Sequence, residues 1–214
     1  MTFSGGLYPL TMCNTYTVLP KLGAVAHERA VNEAVAKLKT TLVRRSAPGV
    51  ILLSTDGELQ AELMRWGYHR PFSDSINNAR SDKFTSPMWK ESLALRRCLV
   101  PVSTFFEWKP EIGGRKQAYE FRRPDGEWMW IAGIYERTEA HGGCFATITT
   151  EPSPLVEPIH DRMLAALEFD EALAFQHGET LPIMPYTGEI LATPCDSPLK
   201  KPRPDRVDPQ GELF

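Results

Sequence analysis

The sequence predicts an α+β fold, a single compact domain with a β-rich antiparallel core and peripheral helices. Three observations carry this. Short runs rich in β-branched and aromatic residues recur along the chain, bounded by Gly, Pro or Asp turn residues. Helical periodicity is confined to a few stretches. At 214 residues the chain is long enough to bury one core without disulfide staples.

Taken in order, residues 21–42 place Val31, Val35, Leu38 and Leu42 at spacings of four, three and four, the period of an amphipathic helix. Ala47-Pro48-Gly49 then reads as a turn. Val50 to Leu53 and Leu59 to Trp66 flank Thr55-Asp56-Gly57 and predict a hairpin. Residues 84–95 predict a short helix, with Pro87 tolerated near its N-terminus. Cys98 to Val102 and Thr104 to Trp108 read as buried strand and bend. A second hairpin is predicted where Gln117 to Arg122 and Trp128 to Tyr135 flank Pro124-Asp125-Gly126. Gly143 to Thr150 is strand-like, and Asp170 is placed to cap a helix over 171–177. Beyond Cys195 proline and charge dominate, so the tail is expected to be peripheral.

Composition excludes several classes of function. The formal charge of −3 argues against indiscriminate binding to duplex nucleic acid, although a local cationic channel remains open. Arg44-Arg45, Arg65, Arg70, Arg80, Arg96-Arg97, Lys109, Arg115-Lys116 and Arg122-Arg123 could line one, or could be spread over a solvated surface. The four cysteines, Cys13, Cys98, Cys144 and Cys195, show no CxxC pairing, which fits a reducing compartment. Cys98 and Cys144 read as core residues. Neither a secretory signal nor a membrane-spanning run is evident, so a cytoplasmic protein is expected. The sequence has no HExxH pattern and no phosphate-cradling glycine motif, and neither metal nor cofactor is expected.

Cys13 follows Met12 directly. A cysteine made N-terminal carries an α-amine and a thiol on adjacent carbons, with pKa values of about 8 and about 8.5, a pair suited to trapping an aldehyde. As numbered, Cys13 is internal, so this chemistry needs residues 1–12 absent or removed.

Three further segments carry candidate chemistry. Asn78 and Arg80, two apart, share a face of an extended backbone and suit an orienting amide beside an anion ligand, although a surface turn also fits. Phe105-Phe106-Glu107-Trp108 puts a carboxylate in an aromatic run, where desolvation would raise its pKa toward the acid–base range; an outward-facing strand position is the alternative. Pro158-Ile159-His160-Asp161-Arg162 offers an imidazole and a guanidinium on one side of an extended segment, with Asp161 pointing away; a salt-bridged loop is the alternative.

These motifs, with Met12-Cys13-Asn14-Thr15-Tyr16, Ala47-Pro48-Gly49, Trp66-Gly67-Tyr68, Asn78-Ala79-Arg80-Ser81-Asp82 and Arg97-Cys98-Leu99-Val100-Pro101, resemble the SOS response-associated peptidase family of abasic-site processing proteins. The resemblance runs from Cys13 to about residue 195. It implies residues 1–12 as a leader, 13–195 as a catalytic and DNA-binding domain, and 196–214 as a tail. It further implies a monomeric, nucleoid-associated DNA-repair protein that binds abasic sites in single-stranded DNA. The adduct would be a covalent thiazolidine through Cys13, with self-processing peptidase and AP-lyase side activities. By the same resemblance Asn78, Glu107 and His160 join Cys13 as catalytic residues. Arg80 and Arg162 hold DNA, and Trp66 and Pro48 shape its path. The chain departs from the family pattern in its leader, in Arg44-Arg45-Ser46 before Ala-Pro-Gly, and in Met163-Leu164-Ala165-Ala166-Leu167, which lacks a proline. A non-covalent single-stranded DNA binder and a general cysteine peptidase are the competing readings.

Overall fold

The computed structural model describes residues 14–22, 25–179 and 183–199. The chain runs β1 (Thr15–Thr17), α1 (Ala26–Val35), β2 (Leu42–Arg44), β3 (Pro48–Thr55), β4 (Glu58–Trp66), β5 (Tyr68–Arg70), β6 (Ser73–Ile76) and β7 (Asn78–Arg80). A 3-10 turn at Ser81–Lys83 leads to α2 (Pro87–Leu95), β8 (Arg97–Val102), β9 (Thr104–Pro110), β10 (Lys116–Arg122), β11 (Met129–Thr138) and β12 (Gly142–Thr150). Two short strands, β13 (Met163–Leu164) and β14 (Ala166–Leu167), precede α3 (Phe169–Gln176) and β15 (Leu191–Cys195).

Strands β12, β4, β3, β8 and β11 pair in that order, and β11 pairs back onto β12, closing a five-stranded barrel. Closure leaves no free edge among these strands. All pairs are antiparallel except β12 with β4, which is parallel. Val50 to Leu53 of β3 are buried as a continuous run rather than alternately, because one face fills the barrel and the other is covered by α1. A second sheet, ordered β15-β10-β9-β1-β2, continues from the barrel where β8 passes into β9 at Ser103. There the Ser103 N–H donates to the Thr17 carbonyl (2.8 Å) and its hydroxyl accepts from Leu19 N–H (2.8 Å).

The α+β prediction holds, with four local corrections. The helix expected over 21–42 is confined to Ala26–Val35, because Leu42 pairs with Thr17 across β2 and β1, and sheet pairing there outweighs the helical period. Val31, Ala34 and Val35 keep the predicted apolar face. Pro48 begins a strand instead of lying in a turn. The second hairpin is β9–β10, one strand earlier than predicted, with Gly113 and Gly114 at positive φ in its turn. β10 and β11 lie in different sheets, and Pro124-Asp125-Gly126 carries the chain between them. At α3 the cap is Glu168, which forms a capping box with Glu171, and Asp170 sits in the first turn. The Thr55-Asp56-Gly57 hairpin and the helix begun by Pro87 appear as predicted, with the Ser86 side chain accepting from Met88 N–H.

Among the described residues no helix is long and apolar enough to cross a membrane.

Candidate active site

β7 is laid beside β12 in parallel, with Asn78 opposite Thr147 and Arg80 opposite Thr149. Two residues apart on a strand, Asn78 and Arg80 share a face, as predicted. The Thr147 hydroxyl lies 2.8 Å from Asn78 Oδ1 and 3.1 Å from the Asn77 carbonyl, which orients the Asn78 amide. Arg80 is exposed, and its Nε and Nη2 donate to the two Asp82 carboxylate oxygens at 3.0 and 2.9 Å.

Glu107 is 1% exposed, in β9 opposite Tyr119. Its strand face is shared with Phe105, and Phe106 on the other face is buried too, so the outward-facing alternative does not hold. His160 approaches it from the loop after β12: Glu107 Oε2 lies 3.8 Å from His160 Nε2, and both side chains are 2% exposed. The loop is a series of turns in which Ile159 and His160 N–H both donate to the Val156 carbonyl. Immediately afterwards, buried Met163 to Leu167 lock into the barrel, with Ala165 N–H donating to Ile148 and the Ala165 carbonyl accepting from Ala132 N–H. This apolar run replaces the proline-containing segment of the resemblance and fixes the position of His160 and Arg162.

His160 and Arg162 are brought together by a tight turn rather than an extended segment: the Arg162 backbone N–H donates to His160 Nδ1 (3.1 Å). Asp161 does not point away, since its Oδ1 is 3.1 Å from Nδ1. Nδ1 cannot accept from Arg162 while donating to Asp161. In the neutral ring the Nε2 proton therefore faces Glu107, and in the charged ring Nδ1–H finds Asp161. Burial lowers the His160 pKa and the Asp161 charge opposes that shift, so the ring is mainly neutral near pH 7 and still able to take up a proton. A buried carboxylate beside such an imidazole can relay protons.

Arg162 is also buried, with Nη2 donating to the Thr149 carbonyl (2.6 Å). It lines a cavity of about 690 Å³ together with Arg80, His160, Asp161, Glu151 and Glu157. Cys13 lies outside the described residues. Asn14, which follows it, is at the site: Asn77 Nδ2 donates to Asn14 Oδ1 (3.3 Å). β1, which begins one residue after Asn14, pairs with β9 at Tyr16↔Phe105 and Thr17↔Thr104, the end of β9 that leads into Glu107.

Pro48 is exposed where β3 begins. Trp66 is fully buried, its indole N–H donating to the Asn77 carbonyl (3.0 Å) and its ring edge-on to Tyr16 at 4.9 Å. It has no face for a nucleobase and can shape a path only by supporting Asn77 and Asn78. The exposed aromatic nearby in sequence is Phe72, 72% exposed at the turn of the β5–β6 hairpin that leads into Asn78. Its signal in the sequence is an aromatic beside proline in Arg70-Pro71-Phe72. Several of the arginines named for a cationic channel are engaged within the protein. Arg45, Arg65 and Arg97 donate to backbone carbonyls, while Arg70, Arg96 and Arg123 pair with Glu136, Glu91 and Asp125. Cys98 and Cys144 are buried, as expected of core residues, and Cys98, Cys144 and Cys195 are free thiols.

The fold thus carries a buried carboxylate–imidazole pair whose imidazole lines one cavity with Arg80 and Arg162. Residues 12–181 match the family described as SOS response associated peptidase (SRAP), and the chain belongs to that family. Among relatives, abasic site processing protein YoaM of Bacillus subtilis is 25% identical over 173 residues, covering 74% of this chain and 76% of that protein. A Saccharomyces cerevisiae abasic site processing protein is 32% identical over 121 residues, half of this chain and 32% of its own length. The Xenopus tropicalis protein HMCES, of the same description, is 29% identical over 143 residues, 51% of this chain and 42% of its own. Crystal structures of proteins from Bacteroides thetaiotaomicron and Bordetella bronchiseptica share the fold. Their TM-scores are 0.66 and 0.65, at 23% and 20% identity, over 85% and 86% of this chain and 91% and 100% of theirs.

Proposed function

We propose that this protein recognises abasic sites in single-stranded DNA and joins itself covalently to them through Cys13 once that residue is N-terminal. The supporting observations are the buried 3.8 Å Glu107–His160 pair and the bond from Asn77, the neighbour of Asn78, to Asn14, the residue covalently next to Cys13. Relatives described as abasic site processing proteins point to the same substrate.

In this reading the Cys13 α-amine attacks C1′ of the ring-opened deoxyribose. The Glu107–His160 pair passes a proton to the carbinolamine hydroxyl, which leaves as water to give an imine. The thiol then adds to the imine carbon, and its proton passes to the nitrogen, closing a thiazolidine. Both nucleophiles belong to one residue, so closure is intramolecular and strongly favoured. The imine also acidifies the C2′ proton, and β-elimination of the 3′ phosphate is the competing lyase reaction. Asn78 orients the lesion, Arg80 and Arg162 hold phosphates, and Phe72 offers a stacking surface. The peptidase activity is removal of residues 1–12 by cleavage at Met12-Cys13, with Glu107 and His160 activating water. The working domain is then 13–195. The non-covalent reading loses Trp66, which is buried, and would rest on Phe72 instead.

Intact mass of the untagged protein, before and after incubation with single-stranded DNA bearing one abasic site, tests this. A chain starting at Cys13 that gains the mass of the DNA less one water is expected. A chain starting at Cys13 with no adduct would overturn it.

A further inference from the structure

The Asp82 carboxylate spans both arginines of the site. It takes Arg80 Nε and Nη2 at 3.0 and 2.9 Å, and its Oδ1 lies 3.6 Å from Arg162 Nη2. Two oxygens carrying one negative charge between two guanidiniums have the shape and charge of a phosphodiester. Glu151, Glu157 and Asp161 also line the cavity against Arg80 and Arg162, and the further positive charge felt there is Lys116, which acts on His160.

We infer that Asp82 is a specificity-determining counter-charge that occupies the phosphate position between Arg80 and Arg162, so that an intact strand must displace it to bind. The inference rests on the DNA reading above and goes beyond it. Undamaged strands would gain little from the two arginines, whereas an abasic strand is retained by the covalent step that follows.

An opposite role is conceivable for the same contacts, in which Asp82 props the arginines into position. The geometry favours the counter-charge. Arg162 is already oriented by the Thr149 carbonyl at 2.6 Å and by Ser81 Oγ at 3.4 Å, so no carboxylate is needed to aim it. Asp82 and Arg80 are 45% and 48% exposed, an ion pair that opens at little cost. Asp82 is also the first influence opposing the desolvation of Arg162, as a resident counter-ion would be.

The two roles predict opposite signs for Asp82→Asn, which removes the charge and keeps an acceptor of the same shape. Binding of the full-length protein to an intact single-stranded oligonucleotide should be measured by anisotropy across a salt series. Asp82→Asn is expected to tighten binding about two- to five-fold, the range of an exposed ion pair. It should steepen the slope of log K against log salt by about 0.7, one further phosphate on a single strand. Asp82→Glu should behave as the parent, and the gain from Asp82→Asn should shrink in an Arg80→Ala background. Asp82→Ser, with the same expectation, covers the case in which the asparagine variant does not fold. Parent protein that binds while both neutral variants bind equally or more weakly would overturn the counter-charge role alone. Failure of every variant to bind intact or abasic strands would overturn the DNA reading and this inference with it.

Discussion

His160 has two hydrogen-bonding partners at Nδ1 that it cannot serve at once, the Arg162 N–H and the Asp161 carboxylate, and its protonation state decides between them. Burial holds its folded pKa below the ordinary value of 6.5. The unfolded chain therefore binds more protons over that interval, so His160 contributes stability above pH 6.5 that is lost as pH falls through its folded pKa. Thermal melts of the parent and His160→Gln should diverge least in acid and most above neutrality. A parent melting temperature that rises relative to the variant on acidification would refute this. Glu107→Gln keeps the shape and removes the proton acceptor; adduct formation should slow by about 10²- to 10⁴-fold, the usual contribution of a positioned acid–base group, as followed by single-turnover kinetics. Trp66→Phe removes one of three donors to the Asn77 carbonyl and leaves part of the indole volume empty in a closed core, which should cost about 1–3 kcal/mol in denaturant unfolding. Glu107 was legible in the sequence because a carboxylate flanked by aromatics stands out. The burial of Trp66 was not, since a tryptophan in a motif can equally face solvent.

At the scale of elements, the β5–β6 hairpin connects Trp66-Gly67 to Asn78 and sets the entry to β7. Gly67 has φ +125°, and a Cβ there would lie 1.9 Å from Ser75 Oγ, whose hydroxyl donates to the Trp66 carbonyl (3.2 Å). Gly67→Ala should therefore displace the hairpin, costing about 2 kcal/mol or more in unfolding experiments and slowing adduct formation through Asn78. Wild-type stability in that variant would show that the hairpin relaxes without strain. The Thr55-Asp56-Gly57 hairpin was readable because its turn residues and flanking strands are contiguous. The β10–β11 hairpin was misread because Pro124-Asp125-Gly126 is equally good chemistry for a crossing between sheets. The Gly113-Gly114 turn that closes β9–β10 carried the signal instead.

At the scale of the molecule, the barrel and the second sheet together supply four separate stretches of chain: β7, paired on β12, carries Asn78 and Arg80, β9 of the second sheet carries Glu107, the loop after β12 carries His160 and Arg162, and Asn14 immediately precedes β1. The second sheet grows out of the barrel at Ser103, and β9 is paired there on both sides, with β1 at Thr104 and Phe105 and with β10 through Glu107.

The sequence by itself determined the family, the α+β class, most strands, and the residue types on which the proposed chemistry draws, because these follow from local pattern and motif order. Only the tertiary structure decided that the barrel closes between β11 and β12, that Trp66 faces inward, and that most arginines are spent on carbonyls and carboxylates. It also decided that Asp82 stands between Arg80 and Arg162. Each of these depends on which distant segments meet. A local pattern records that a residue is apolar or charged, whereas its partner is chosen by pairing and burial across the whole chain.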